Sequence, residues 1–239
     1  MVQSGAVARR SGREPAFAVL WDLDGVLVDT SQYHYAAWRR LMREHGRDLS
    51  WEEFQATFGM RNSEILPRLL PGISREEVER LSDRKESYFR DLLPERIPLL
   101  PGVERLVREL AAEGIPQAVA SSTTRANLEA ILSRLHLPLA VYVAAEDVAD
   151  GKPSPEVFLR AAERLGVPPD RCIVVEDSVA GVEAARRAGM SSLAVATTWP
   201  ADRLSGADAV VESLEGVSVQ DLERIVMQKR RGARVQGRS

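Results

Sequence analysis

The chain has 239 residues, 44% of them hydrophobic and 28% charged, with a formal net charge of −3. This balance is ordinary for a soluble globular protein and excludes a general nucleic-acid or membrane binder held by bulk positive charge. Cys172 is the single cysteine, which rules out an intramolecular disulfide, and core filling is its expected role. Arginine is the default cation, since Lys85, Lys152 and Lys229 are the only lysines. Residues 1–15 are polar and arginine-bearing, with no apolar centre for a signal peptide, and are expected to be disordered. No apolar run approaches the length of a membrane span, so a cytoplasmic protein is expected.

The apolar run 17–21 reads as a buried strand, too short for a helix. It ends in Asp22 and Asp24, followed by Gly25. Burying two carboxylates together is costly unless a cation shares the site, so a divalent-metal site is one reading. A plain Asp-Gly turn is the other. An EF-hand loop is excluded, because Leu27 and Tyr33 stand where it needs glycine and glutamate. Thr30 or Ser31 can cap a helix running to about residue 46, with Tyr35, Trp38, Leu41 and Met42 on one face. Ser50 with Glu53, and Ser74 with Glu77, form capping boxes for two further helices. A helix over 62–70 lies between them, and the one opened at Ser74 runs to about residue 93. Residues 31–97 thus read as an all-helical cap inserted into a core formed by 16–30 and 98–228.

From Pro101 the rhythm alternates. Helices are expected at 102–113, 125–135, 156–165, 179–188 and from about 219, and strands at 115–120, 140–143, 172–175, 192–196 and 209–211. The basic tail 229–239 is expected to be disordered. Such alternation implies an α/β fold, a parallel sheet with helices on both faces and right-handed crossovers.

Four loops that follow or join the strands carry polar groups: Asp22 and Asp24, Ser121 with the amides after it, Lys152 within Gly-Lys-Pro-Ser-Pro, and Glu176 with Asp177. Parallel strands bring such loops to one edge. Ser121 precedes a helix N-terminus, where amides and the helix dipole favour an anion. Read singly, Ser121-Ser122 could be a helix cap and Lys152 a surface lysine. Read together, four carboxylates, a lysine and a serine suit a phosphate and a metal. Rival phosphate motifs are absent, since Glu146 stands where a Walker loop ending at Lys152 needs glycine and no Gly-x-Gly-x-x-Gly occurs.

In order, these motifs resemble those of the haloacid dehalogenase-like superfamily, in its subgroup with a helical cap inserted after the first strand, over roughly residues 17–215. The resemblance implies a Rossmann-like doubly wound core, Mg²⁺ as cofactor and a phosphoaspartyl intermediate. It implies Asp22 as nucleophile, Asp24 as acid/base, and Ser121 and Lys152 as phosphate-binding catalytic groups. Asp22, Asp24, Glu176 and Asp177 would form the metal set. Dehalogenases of the superfamily lack the metal-dependent second aspartate, so Asp24 with Asp177 argues for phosphoryl transfer.

Asp29-Thr30, Tyr33-His34 and Trp38 resemble the cap entry of the β-phosphoglucomutase and sugar-phosphate phosphatase branch. His34 would then set the protonation of Asp24 or the cap hinge, unless it is a solvated helix histidine. In the segment 58–62, Arg61 or Asn62 occupies the place of a substrate-binding residue. Ser122, Thr123 and Arg125 follow Ser121 as further substrate contacts; Thr124 and Arg125 replace a lysine and asparagine of the mutase pattern, which favours a phosphatase. Lys85-Glu86 either faces the site from the last cap helix or is an exposed helix pair, and the exposed pair is the favoured reading. The expected partner is a small phosphorylated metabolite, with no nucleic acid or membrane, and the expected state is a monomer or weak homodimer. The alternatives are a phosphosugar mutase, a non-catalytic regulatory relative and a metal-binding structural protein.

Overall fold

Six parallel strands carry the fold, in the order β3-β2-β1-β4-β5-β6. The computed structural model describes residues 16–57 and 60–236. The expectations for residues 1–15, for Phe58 and Gly59 of the substrate segment, and for 237–239 of the tail lie outside the described residues. The strands are β1 (Ala18–Trp21), β2 (Gln117–Ala120), β3 (Val141–Val143), β4 (Cys172–Glu176), β5 (Ser191–Val195) and β6 (Ala209–Val211). Four helices follow β1: α1 (Ser31–Glu44), α2 (Trp51–Gln55), α3 (Asn62–Leu69) and α4 (Arg75–Leu92). After them come α5 (Val103–Ala112), α6 (Arg125–Leu135), α7 (Glu156–Leu165), α8 (Val179–Arg187) and α9 (Val219–Gln236).

β1 lies between β2 and β4, with Trp21 opposite Val119 and Val175. Its residues are fully buried because the sheet is covered on both faces. Val19 and Trp21 join the core cluster shared with Leu106, Leu128 and Leu222, while Ala18 and Leu20 join the opposite one with Phe158 and Ala184. The Trp21 indole donates to Gln117 at 3.0 Å, and the Gln117 amide donates to the Val107 carbonyl at 3.1 Å, so this buried polar pair is satisfied. Strand order reverses at β1, which opens a crevice beyond the C-terminal ends of β1 and its neighbours.

The helical block shares the first of these cores. Trp38, Leu41 and Met42 of α1 and Phe89 of α4 are buried in the same cluster as Val19 and Trp21. Tyr35 is only partly buried, and packs on Trp51 and Phe54 with ring centroids 5.1 and 5.5 Å away. Both expected capping boxes form, at Ser50/Glu53 and Ser74/Glu77. The exit and return of the chain meet where Val28 bridges Leu99 and the Leu100 amide donates to the Leu27 carbonyl at 3.0 Å.

Three local expectations are corrected. Thr30 precedes α1 but does not cap it, because its hydroxyl donates to Asp24 instead. The tail is not disordered from residue 229: α9 continues to Gln236. Lys229 donates to the Met190 carbonyl at 2.7 Å and to Asp208 at 2.9 Å, and Arg230 reaches Asp170 at 3.0 Å, so these two basic residues have partners on the core. Lys85 is not exposed. It lies four residues after Leu81 and four before Phe89, on the buried stripe of α4. Among the described residues, no helix is long and apolar enough to cross a membrane.

Gly102 starts α5 with φ at +83°, and a Cβ there would collide with the backbone of Leu214 and Glu215. Gly102→Ala should therefore destabilise the fold by at least about 1 kcal/mol, from backbone strain and the clash together. Thermal unfolding should move down by several degrees with activity per folded molecule unchanged; an unshifted midpoint would contradict this close approach.

Candidate active site

The chain leaves the sheet after Trp21 with the Asp22 amide bonded to the Val175 carbonyl at 2.9 Å. That bond fixes Asp22 beside the end of β4, where Glu176 and Asp177 follow. Ligand oxygens of Asp22, Glu176 and Asp177 all lie within 4.8 Å of one another, and all three residues are buried. Lys152 closes the group, its ammonium 2.5 Å from Asp22 Oδ1 and also donating to Glu176. Its Nζ sits 4.9 Å from the centre of the Phe158 ring, so the cation is walled by apolar surface on one side.

Burial resists the charges on Asp22, Asp177 and Lys152. It raises the Asp22 carboxyl well above its ordinary range, against the pull of Lys152. Burial together with the Glu176 charge pushes Asp177 up to about 7. Burial also opposes the charge on Lys152, but Asp22 and Glu176 outweigh it and hold the lysine more firmly protonated than usual. Glu176 is committed inside the protein. One oxygen accepts from the amides of Asp177 at 2.9 Å and Ser178 at 2.7 Å and from the Ser178 hydroxyl at 2.8 Å, and the other accepts from Lys152.

Two glycines clear the ground for these side chains. A Cβ on Gly25, where φ is +78°, would collide with the Asp177 carboxylate, and one on Gly181 with that of Glu176. Ser178 caps α8 by accepting from the Gly181 amide at 3.0 Å, so cap and carboxylate share one turn. Thr197 donates to the Gly25 carbonyl at 2.5 Å and the Thr198 hydroxyl bonds Asp177. Sequence reading missed both threonines; a Thr-Thr pair after a strand carries no signal of its own.

Asp24, the fourth member of the expected metal set, lies outside the group whose ligand oxygens are within 4.8 Å of one another, which is Asp22, Glu176 and Asp177. It accepts a hydrogen bond from Thr30 and burial raises its carboxyl. Ser121 is buried at the end of β2, with its amide bonded to Val143 at 3.1 Å and its hydroxyl accepting from the Thr123 amide at 3.2 Å. Ser122 is exposed and Thr123 half-buried in the same turn.

Arg125 is directed elsewhere. Its guanidinium pairs with Asp147 at 2.6 Å and its amide donates to Glu146, so the expected substrate contact is corrected by a local ion pair on the β3 side. Arg61 extends toward the Lys152 loop, where its Nη2 would lie 3.7 Å from a Cβ on Gly151. Asn62 donates to Glu86 at 2.6 Å. His34 is not a free surface histidine: it stacks on Phe89 with centroids 3.9 Å apart, and its Nδ1 is 2.7 Å from Lys85 Nζ. Burial and the Lys85 charge lower His34 to about 3, so it is neutral and accepts from the lysine. The Lys85 charge in turn helps hold down the Asp24 carboxyl that burial raises.

The arrangement is a cation-ready carboxylate cluster beside a buried lysine, with an anion-ready serine turn on the next strand. The family model for haloacid dehalogenase-like hydrolases matches residues 18–189. The chain belongs to this family, the one its motifs resemble. It is 36% identical to hexitol phosphatase A of Escherichia coli, over 84% of this chain and 92% of that protein. It is 32% identical to β-phosphoglucomutase of Bacillus subtilis, over 85% of this chain and 92% of that one. Among solved structures it resembles β-phosphoglucomutase from Clostridium difficile, with a TM-score of 0.76 and 30% identity, covering 88% of this chain and 97% of that chain.

Removing Lys152 leaves buried carboxylates without their counter-charge. Lys152→Met should lower the unfolding free energy by about 3 kcal/mol at neutral pH in the absence of divalent metal. Denaturant titration measures this; a loss below about 1 kcal/mol would mean that the lysine does not balance the cluster.

Proposed function

We propose that this chain is a Mg²⁺-dependent phosphatase that hydrolyses a small phosphorylated metabolite, a sugar phosphate, through a phosphoaspartyl intermediate. The observation that carries this reading is the buried group of Asp22, Glu176 and Asp177 against Lys152 at the end of β1. With all three carboxylates ionised, as a bound cation would keep them, one ammonium leaves two negative charges, and an all-oxygen donor set suits a hard divalent cation. Asp22 and Asp177 would hold the ion, with Glu176 fixing the turn beside it. When bound, Mg²⁺ supplies Lewis-acid stabilisation of the phosphoryl oxygens.

The remaining chemistry belongs to side chains of this chain. An Asp22 oxygen attacks phosphorus and the bond to the alcohol oxygen breaks, while Asp24 gives that oxygen its proton. In the second step Asp24 takes a proton from water, the water oxygen attacks the same phosphorus, and inorganic phosphate leaves with the Asp22 carboxylate restored. Lys152 offsets the negative charge that an anionic phosphoryl group meets at Asp22. Ser121 and the Ser122 amide bind the phosphoryl oxygens, with Thr123 beside them at the turn that leads into α6. Residues 31–97 act as the cap over a core of 16–30 and 98–228, and Arg61 and Asn62 meet the sugar end of the substrate.

A phosphosugar mutase is the second reading, because Arg61 extends over the Lys152 loop where a distal phosphate could meet it. The ion pair of Arg125 with Asp147 weighs against it, since it takes a basic side chain away from the phosphate turn. The test is a panel of phosphate esters with Mg²⁺ that includes β-glucose 1-phosphate with and without glucose 1,6-bisphosphate. Release of inorganic phosphate is expected; glucose 6-phosphate that forms only with the bisphosphate would establish the mutase instead.

Asp22→Asn should lower kcat by at least about 10³-fold while leaving the unfolding midpoint within a few degrees. Near-normal turnover would sink the mechanism. Arg61→Ala should raise KM for the best sugar phosphate about tenfold with kcat little changed, as loss of uniform binding does. An unchanged KM would remove Arg61 from the substrate site.

A further inference from the structure

Helix α4 is joined to α6 by a hydrogen-bonded clamp that the proposed chemistry does not use. Asn127, in the first turn of α6, is 1% exposed, and both ends of its amide cross to α4. Its Nδ2 donates to Glu86 Oε2 at 2.6 Å, and its Oδ1 accepts from Arg90 Nη1 at 2.9 Å. The other oxygen of Glu86 accepts from Asn62 at 2.6 Å and from Lys85 at 2.9 Å. Lys85 in turn contacts His34 at 2.7 Å.

One carboxylate thus joins α4 to α3 through Asn62 and to α6 through Asn127, with Lys85 of its own helix as the third partner. Asn62 opens α3 beside Arg61, Lys85 lies near enough to act on Asp24, and Asn127 sits one helical turn beyond the Ser121 turn. We propose that Glu86 is a positioning residue which, with Asn127 and Arg90, fixes how closely the helical block approaches the phosphate turn. The clamp is two-pointed and polar. A carboxylate and a guanidinium four residues apart on α4 match the donor and acceptor of one amide, so sliding α4 along α6 breaks both bonds at once. A buried amide cannot lose both partners without a penalty, which makes the joint a defined stop for the block. Apolar packing alone would hold the helices together without fixing the register.

The kinetic consequence rests on the phosphatase reading; the clamp itself does not. The test uses the full chain with Asn127→Asp, which keeps the shape and the acceptor for Arg90 but turns a carboxylate toward Glu86. Amide exchange over residues 75–92 should speed at least fivefold. KM for the best ester of the panel should rise about tenfold while kcat changes less than threefold. The double variant Glu86→Gln with Asn127→Asp exchanges amide and carboxylate and restores the pairing, so both readouts should return to within threefold of the parent. Exchange and KM unmoved in the single variant, or a double variant as impaired as the single, would overturn the proposal. Should Asn127→Asp fail to fold, Arg90→Ala removes the half-buried arm only and should raise exchange and KM at least threefold; no change there would equally overturn it. If the parent turns over no ester, the phosphatase reading fails, and exchange alone decides the clamp.

Discussion

The site depends on one ammonium group held between two buried carboxylates. Lys152 meets Asp22 and Glu176 where the sheet offers almost no solvent, and Asp177 adds a third carboxylate to the same space. Unbalanced charges in such a place cost several kcal/mol each, so the neighbouring backbone has to be arranged around them. Glu176 is stabilised by the amides of its own turn and by Ser178, and Asp177 by Thr198. Gly25 and Gly181 are demanded by the same crowding, since any larger residue would strike a carboxylate. Folding accepts these charges with only one cation to offset them, which leaves the cluster poised to take up a positive ion.

Parallel topology makes the cluster possible. With β1 central and β2 and β4 on either side, the segments after Trp21, Ala120 and Glu176 emerge at one edge. The strands themselves supply little beyond apolar bulk. Position does the rest, since Asp22 and Ser121 stand one residue beyond β1 and β2 and Glu176 is the last residue of β4, all at the crevice edge. The helical block enters at the same edge, between Val28 and Leu99, and Thr30 at that junction bonds Asp24. The acid/base candidate is therefore tied to the chain segment from which the block hangs.

Much of this was legible in the sequence because it is written in short-range chemistry. Apolar runs ending in Asp22, Ser121 and Glu176 identified the strand ends, and the capping boxes at Ser50 and Ser74 announced two helices. The all-helical character of 31–92 followed from its lack of strand patterns. Legibility failed where a side chain's partner lies far along the chain. Thr30 looks like a cap until Asp24 claims its hydroxyl, and Arg125 looks like a phosphate ligand until Asp147, 22 residues on, pairs with it. The tail looks disordered until Lys229 is seen to pair with Asp208 and Arg230 with Asp170. Lys85 was a different failure. Its place in the Leu81–Phe89 stripe is legible in the spacing, while its charge points to solvent.

The scarcity of lysine sharpens that last point. In a chain whose cations are overwhelmingly arginine, two of three lysines turn inward: Lys85 is buried against Glu86, and Lys152, with 9% of its side chain exposed, lies against Asp22. A guanidinium is a planar fork that needs carboxylates arranged along its edge, whereas an ammonium is a compact point charge that can sit between groups converging from different directions. Lys152 lies between carboxylates from the ends of two strands, and Lys85 between a ring nitrogen on α1 and a carboxylate on its own helix. Neither space suits a fork. The choice of lysine at these two positions is thus a consequence of convergence, and it marks the interior of the site as distinctly as the aspartates do.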